Sequence, residues 1–213
     1  MISNIDVLTH SSIRIRSELG TIYVDPFHVE GEPHDAAFVL VTHDHYDHFS
    51  VEDIKKICTK ETLLVAPRRM EATARSLDDS VARIVTVEPG ESYTIDGLPL
   101  ETVPAYNTLK PFHPKNAGWV GYILTLDGQR IYIAGDTDIT KENKAVHCDI
   151  ALVPAGGTYT MDAKKAAKLV NTIRPQIAVP THYGDIVGKM EDADIFAAHV
   201  DSGIRVENRM LRK

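Results

Sequence analysis

The chain has 213 residues, of which 43% are hydrophobic and 25% charged, a composition typical of a globular domain in water. Acidic residues number 30 against 23 lysines and arginines, and the formal net charge of -7 disfavours nucleic acid or an anionic membrane as the main partner. The sequence contains no leader-like segment and no apolar run long enough to span a bilayer. We therefore expect a single cytoplasmic domain over residues 1–213.

Two segments that lie far apart in the chain share one pattern. Residues 13–24 alternate like a β-hairpin, and an apolar strand follows at 37–41. Residues 121–134 alternate in the same way, and an apolar strand follows at 150–153. This repetition predicts two similar halves.

Strands and helices alternate through the rest of the chain. Further strands are predicted at 61–67, 83–87, 100–105, 176–180 and 204–210, and helices after Ser50, after 61–67, over 163–173 and around 190–197. Interleaved elements in two similar halves favour two sheets packed face to face, with the helices outside.

The densest group of metal-binding side chains lies in one short loop. The stretch 42–48 follows the strand at 37–41 and contains three imidazoles and two carboxylates: His43, Asp44, His45, Asp47 and His48. Groups crowded in this way repel one another or lose solvation unless a cation holds them together. Imidazole nitrogen and carboxylate oxygen are the donors that zinc and similar divalent metals prefer. The loop is therefore predicted to bind a divalent metal.

These residues belong to an ordered series of motifs, namely Asp25, His43-x-His45-x-Asp47-His48, Gly135-Asp136-Thr137 and Pro180-Thr181-His182. In this order and spacing the chain resembles the metallo-β-lactamase superfamily. The resemblance implies an α/β fold, the four-layer αββα sandwich of that family, with a metal site where the two halves meet. Within the superfamily, the short chain and residues 155–162 resemble the small hydrolases related to ascorbate-phosphate lactonase.

The resemblance also implies a site for two divalent metals, with zinc expected and manganese, iron or nickel as alternatives. The implied ligands are His43 and His45 for the first metal, Asp47, His48 and His182 for the second, and Asp136 for both. Of these, Asp47, His48 and Asp136 are the implied catalytic residues. Asp25 and His10 would support the ligands without contacting metal, because a metal-bound histidine usually donates its other nitrogen to a neighbouring group. Asp25 could equally be a turn acid before Pro26.

One position departs from the family pattern. Relatives usually supply another histidine for the first metal after a segment like 103–106, but this chain has Asn107 there, and the next imidazole is His113. Either His113 reaches the metal from a proline-rich loop, or the Asn107 oxygen or a water fills the position. An amide is a poorer zinc donor than an imidazole, so the second arrangement would weaken the first site.

The chemistry expected of such a site is hydrolysis by a metal-bound hydroxide. Asp47 would orient the hydroxide and accept its proton. The electrophile is a lactone, an ester or amide, or a phosphodiester, in a small and perhaps anionic substrate.

Residues expected to contact the substrate are Lys110, Tyr159 and Tyr183, with Lys115 and Trp119 as further candidates that could instead be a solvated lysine and a core residue. Two other functions stay open. One is a nuclease of the same superfamily, which the acidic composition disfavours. The other is a metal-dependent sensor or binding protein without turnover, since Asn107 could reflect lost catalysis. Assembly into a homo-oligomer is also compatible with the family.

Overall fold

The computed structural model describes residues 2–211, and across this range thirteen strands form two sheets. The first sheet contains, in spatial order, β1 (Ile5–Thr9), β2 (Ser12–Ser17), β3 (Gly20–Val24), β4 (Ala36–Leu40), β5 (Leu63–Pro67) and β6 (Arg83–Val87). The second contains β7 (Ser92–Ile95), β8 (Leu98–Pro104), β9 (Val120–Leu126), β10 (Gln129–Ile133), β11 (Ile150–Pro154), β12 (Ile177–Thr181) and β13 (Arg205–Val206), in the reverse spatial order. Each sheet is therefore built from one half of the chain.

Helices cover the outer face of each sheet. The α-helices are α1 (Val51–Ile57), α2 (Glu71–Ala74), α3 (Ala163–Ile173) and α4 (Asp192–His199), and short 3-10 turns lie at Ile2–Asn4, Arg68–Met70, Arg75–Leu77, Lys115–Ala117 and Asn143–Ala145. The first two α-helices pack on the first sheet, and the last two pack on the second. This is the four-layer αββα sandwich expected from the sequence.

The largest apolar core lies between the two sheets. Ile15, Ile22 and Leu40 from the first sheet pack with Tyr122 and Leu152 from the second, all of them buried. Burying one such aliphatic side chain contributes roughly 1.5–3 kcal/mol, so this core is the main force that holds the halves together.

The repeated pattern of the sequence is a repeated structure. In the first half β2 and β3 pair antiparallel, with Ile15 opposite Ile22, and β4 then adds in parallel. In the second half β9 and β10 pair antiparallel, with Leu124 opposite Ile131, and β11 then adds in parallel. The prediction of two similar halves is confirmed.

Three elements differ from the prediction, and one of them is β7, a strand that was not predicted. The first strand, β1, was not predicted, because its buried Asp6 interrupts the apolar pattern; Arg14 and Arg16 satisfy that carboxylate at 2.8 Å each. The single closing strand predicted at 204–210 is wrong. Only β13 pairs with β12, after which the chain crosses to the first sheet, where Met210 bridges Val7. Within residues 2–211, no helix combines the length and apolar character needed to cross a membrane.

Asp53 in α1 connects the loop after β3 to the helix through hydrogen bonds. Its carboxylate accepts hydrogen bonds from the backbone amides of His28 at 2.9 Å and Val29 at 3.0 Å, and from Ser50 and Lys56. Burial raises the pKa of this carboxyl, but the hydrogen bonds from Lys56 and Ser50 outweigh burial and lower the pKa below its ordinary value of 3.8. The charged form is therefore favoured by folding.

We expect Asp53→Ala to lower the free energy of unfolding by about 2–3 kcal/mol, because hydrogen bonds to a buried charged group are lost. Since the folded pKa is depressed, this contribution is complete above pH 3.8 and disappears as the pH falls through the folded pKa. Urea unfolding at pH 7 and pH 3 measures both effects. Glu52→Ala, on the exposed face of the same helix, is the control and should change stability by less than about 0.5 kcal/mol. Equal losses for the two variants would contradict this account.

Candidate metal centre

The site lies at one edge of the sandwich, where four strands of the two sheets end. Asp25 follows β3, the stretch 42–48 follows β4, Asp136 follows β10, and His182 follows β12. The carboxyl ends of parallel strands meet at the same edge, so motifs far apart in the sequence become neighbours. The turn between β1 and β2 adds His10, and the loop between β8 and β9 adds His113.

One cluster of potential ligands contains His43, His45, His113 and Asp136. The Nε2 atom of His43 lies 3.1 Å from Nδ1 of His45 and 3.9 Å from Oδ2 of Asp136. The Nε2 atom of His113 lies 3.2 Å from the same carboxylate oxygen. His45 is half-buried and the other three are buried, so the cluster is reached from the side of His45.

The second cluster contains His10, Asp47, His48 and His182. The Oδ2 atom of Asp47 lies 3.2 Å from Nε2 of His10, 3.5 Å from Nε2 of His48 and 3.7 Å from Nε2 of His182. His10, which we expected to support the ligands, thus lies within the cluster itself, and its ring packs on that of His182 with 3.9 Å between centroids.

Asp136 lies between the two clusters. Its Oδ1 atom is 3.3 Å from Nε2 of His48, and its Oδ2 atom is 3.2 Å from Nε2 of His182 as well as of His113. A carboxylate in this position contacts side chains of both clusters, as a ligand shared by two metals would.

Asp25 and Thr42 fix the orientation of the histidines from behind. Oδ2 of Asp25 lies 2.7 Å from Nδ1 of His48, and the same carboxylate accepts hydrogen bonds from the Thr42 amide at 2.7 Å and the Thr42 hydroxyl at 2.6 Å. The Thr42 hydroxyl also lies 3.0 Å from Nδ1 of His43. With Nδ1 engaged, Nε2 of His48 is directed towards the clusters, which is how supporting groups orient metal-binding histidines.

Asn107 supports the loop that carries His113. Its amide nitrogen donates to the carbonyl oxygens of Phe112 at 2.9 Å and Tyr159 at 2.7 Å, and its backbone amide donates to the carbonyl of His113 at 2.8 Å. The side-chain nitrogen, rather than the oxygen, faces His113 Nδ1 at 3.2 Å. Of the two arrangements left open by the sequence, the structure therefore places the His113 imidazole in the cluster and Asn107 behind it.

Burial and neighbouring charges act in opposite directions on these groups. Burial, reinforced by the nearby His48, lowers the pKa of His43 well below its ordinary value. Burial also disfavours a charged His48, but the carboxylates of Asp136 and Asp25 outweigh it and raise the pKa of His48 well above its ordinary value. Burial favours a neutral Asp136, yet His182 and His48 hold the pKa of that carboxyl well below its usual range. Asp136 is thus kept as the charged form, which a metal requires.

Several atoms aimed into the clusters have no hydrogen-bond partner within residues 2–211. They are Nε2 of His48, His113 and His182, and Oδ1 of Asp136. Leaving a buried polar group unsatisfied costs about 1–3 kcal/mol. The same atoms are the ones with which neutral imidazole and carboxylate bind divalent metals. The residues present therefore fit divalent metal ions.

A cavity of about 410 Å³ opens onto the clusters. The buried residues of its lining include Asp47, His113, Asp136 and His182, and the outer lining, which is less buried, includes Asp44, Tyr46, Phe112, Tyr159 and Ile186. Tyr159, which we expected to contact substrate, is therefore on the cavity wall.

Two of the expected substrate-binding residues, Tyr183 and Lys110, do not lie on the cavity lining. Tyr183 is fully buried in the core between the sheets, and its hydroxyl donates to Asn208 at 2.9 Å. Lys110 pairs with Asp138 at 3.3 Å and donates to the Thr160 carbonyl, and it does not line the cavity.

Two further candidates are also placed by the structure. Lys115 is exposed and pairs with Glu142 at 2.8 Å. Trp119 packs behind the first cluster, with its ring 4.9 Å from those of His43 and His45.

Comparison with known proteins agrees with this geometry. A family model described as the beta-lactamase superfamily domain matches residues 4–182. The chain belongs to the metallo-β-lactamase superfamily. The family expected from the sequence motifs is thereby confirmed.

Relatives within the superfamily span nearly the whole chain. A UPF0173 metal-dependent hydrolase of Methanopyrus kandleri is 30% identical over 94% of this chain and 93% of its own. One from Thermococcus onnurineus is 34% identical and covers 76% of each chain. The crystal structure of a protein described as a metal-dependent hydrolase of Parabacteroides distasonis has a TM-score of 0.81 and 32% identity, covering 98% of this chain and 93% of that one. The finer likeness to the ascorbate-phosphate lactonase group stays a prediction.

Several residues of the site were not predicted from the sequence. Thr42 contacts Asp25, His43 and His48, and its position between a strand and the histidine motif was a usable signal. Phe112 and Ile186 gave no signal, because only the folded loops bring them to the cavity.

Four of the site residues have left-handed backbone conformations. The φ angles are 48° at His10, 49° at Asp25, 57° at His113 and 56° at His182. This region is unfavourable for residues other than glycine and persists where surrounding structure enforces it, commonly at functional sites.

We expect His45→Ala and Asp136→Ala to lose bound metal, because each removes a ligand from a cluster, and Asp136→Ala removes one from both. His28→Ala is the control, since His28 lies outside both clusters. Elemental analysis of the purified variants measures metal per chain. Equal metal content in all three variants would disprove the assignment of the site.

The asparagine at position 107, where relatives usually have a histidine, gives a sharper test of which residue completes the first cluster. We expect His113→Ala to lose about one metal ion per chain, because its Nε2 is an unsatisfied member of the first cluster. Asn107→Ala should keep the metal content of the wild type, because the amide nitrogen that faces the site has no free electron pair for a metal. Asn107→Ala should instead lower the free energy of unfolding by about 1–3 kcal/mol, through its lost hydrogen bonds. The opposite pattern of metal content would show that Asn107 is the ligand.

Proposed function

We propose that this metal-dependent hydrolase of the metallo-β-lactamase superfamily cleaves a lactone or ester bond of a small molecule, with two metals bound. The observation that supports the proposal most is the convergence of two ligand clusters at the base of one cavity of about 410 Å³. A cavity of this size accommodates a single small molecule.

The ligands divide between two ions, for which zinc is the metal we expect. His43, His45 and His113 would hold the first, Asp47, His48 and His182 the second, and Asp136 both. Divalent ions held in this way lower the pKa of water towards neutrality and polarise the oxygen of an electrophile. His10 is assigned as a support, because its Nε2 faces the Asp47 carboxylate at 3.2 Å.

Asp47 is the residue that we assign to proton transfer. Its contacts with the three imidazoles of the second cluster all involve Oδ2. Oδ1 is then the oxygen that accepts a proton from the attacking water in the cavity. The carboxylate lies on the cavity lining, where a substrate would reach it.

The supporting residues keep this arrangement rigid. Asp25 holds His48 through Nδ1, and Thr42 holds both Asp25 and His43. Preorganised groups lower the reaction barrier because they need no rearrangement during the reaction.

Two observations favour a small-molecule hydrolase over the alternatives. Within residues 2–211 no lysine or arginine lines the cavity, so the basic surface that a nuclease needs is not found at the site. A sensor without turnover was suggested by Asn107, but His113 places an imidazole in the first cluster. The ligand set therefore has no gap that would indicate lost catalysis.

The proposal is tested by turnover with metal-loaded protein. We expect γ-butyrolactone to be hydrolysed by the wild type, and Asp47→Asn to lower kcat by about 10²–10⁴-fold, because a positioned proton acceptor is lost. His45→Ala should abolish turnover together with metal binding, and His28→Ala should leave it unchanged. Metal content is measured for every variant. Hydrolysis of bis(4-nitrophenyl) phosphate without hydrolysis of the lactone would replace the proposal with a phosphodiesterase.

A further inference from the structure

We infer that the substrate carries a neutral aromatic substituent, held by an aromatic wall at the mouth of the cavity. The inference rests on the proposed function, since it names the substrate class for the same site. The aromatic wall consists of Tyr46, Phe112 and Tyr159, with Ile186 beside them on the cavity lining.

The exposure of these side chains indicates a ligand that covers them. Tyr46 is 67% exposed, Phe112 46% and Tyr159 36%, and among residues 2–211 no other Phe, Tyr or Trp is exposed. Apolar area in contact with water costs about 25 cal/mol per Å². Exposed apolar residues gathered in one patch mark binding sites, whereas scattered ones do not. All three exposed aromatic residues of this part of the chain lie at one cavity.

The aromatic wall is held in place by the same residue that supports the metal-site loop. The rings of Phe112 and Tyr159 are perpendicular, with centroids 4.9 Å apart. Asn107 binds the carbonyl oxygens of both residues through its amide nitrogen. An edge-to-face pair leaves ring faces and edges available to a third ring, with which aromatic side chains interact favourably.

The charges around the cavity disfavour an anionic substituent. Lys110 and Lys115, the two cations that could have held one, are engaged with Asp138 and Glu142. The outer lining carries instead the exposed carboxylate of Asp44. Like charges about 4 Å apart repel by roughly 1–4 kcal/mol near a protein surface.

Metal ions bound at the base of the cavity would not hold an anionic substituent that lies on the aromatic wall. Apart from the half-buried His45, the ligand clusters are buried, whereas the aromatic wall is exposed, so a substituent on the wall contacts a different part of the cavity lining. The reacting group and the substituent are therefore recognised by different chemistry, with metal ligands for one and aromatic rings for the other.

Three lactones with the same reacting group test the inference on the metal-loaded full chain. They are γ-butyrolactone, its γ-phenyl derivative and its γ-carboxylate derivative. We expect kcat/KM for the phenyl lactone to exceed that of the parent by roughly tenfold, through a lower KM, because ring contacts and burial both contribute. The carboxylate derivative should fall below the parent. A preference for the carboxylate, or no preference for phenyl, would overturn the inference and leave hydrolysis of the parent lactone intact.

Phe112→Ala should remove most of the phenyl preference, which is the ratio of kcat/KM for the phenyl lactone to kcat/KM for γ-butyrolactone, and metal content is measured in parallel. Leu109→Ala is the matched control, because Leu109 is 95% exposed in the same loop and does not line the cavity. Tyr159→Ala is a second variant of the wall, in case truncation beside His113 disturbs metal binding. Retention of the phenyl preference in a wall variant with full metal content would reject the aromatic wall as the binding surface.

A binding measurement without turnover distinguishes failure of the proposed function from failure of the inference about the aromatic wall. The chain has one tryptophan, Trp119, and its ring lies beside the first cluster. If none of the lactones is hydrolysed, the fluorescence of Trp119 reports binding of the intact compounds. Tighter binding of the phenyl lactone than of the carboxylate, weakened in Phe112→Ala, supports the aromatic wall alone. Equal or reversed affinities overturn it.

Discussion

Asp136 is a buried carboxylate whose charge must be stabilised inside the protein. Removing such a group from water costs several kcal/mol unless partners surround it. Four imidazoles, of His43, His48, His113 and His182, lie within 3.9 Å of its oxygens. Those histidines come from loops of both halves, so the position of one carboxylate sets how the ends of the two sheets must meet. Divalent ions would provide partners for the imidazole and carboxylate atoms that have no hydrogen-bond partner within residues 2–211.

The repeated fold explains why the supporting acid and the central acid have related positions. Asp25 directly follows the second strand of the first hairpin, and Asp136 follows the second strand of the second hairpin. The first holds a histidine from behind through Nδ1, whereas the second faces the imidazoles through Nε2. One structural unit used twice thus provides a rigid support in one half and a candidate metal ligand in the other.

Most of the fold and the centre of the site could be predicted because local patterns carried them. The hairpins alternate with period two, and the histidine motif directly follows a buried strand. The place of His113 could not be predicted, because it depends on a left-handed residue and on the bonds of Asn107 to two carbonyls. The positions of Lys110 and Tyr183 off the cavity lining could not be predicted for a related reason. Both stand near motifs in the sequence, but an ion pair and a core position direct their side chains away from the cavity.

The crossing of the last segment from the second sheet to the first brings the two ends of the described chain together. Arg209 donates to the carbonyl of Ile5 at 3.0 Å, and Met210 bridges Val7. The site therefore depends on how the two halves pack and not on which half comes first along the polypeptide. A circularly permuted chain, joined across this contact and opened in the turn between β6 and β7, would keep every strand pairing and both ligand clusters.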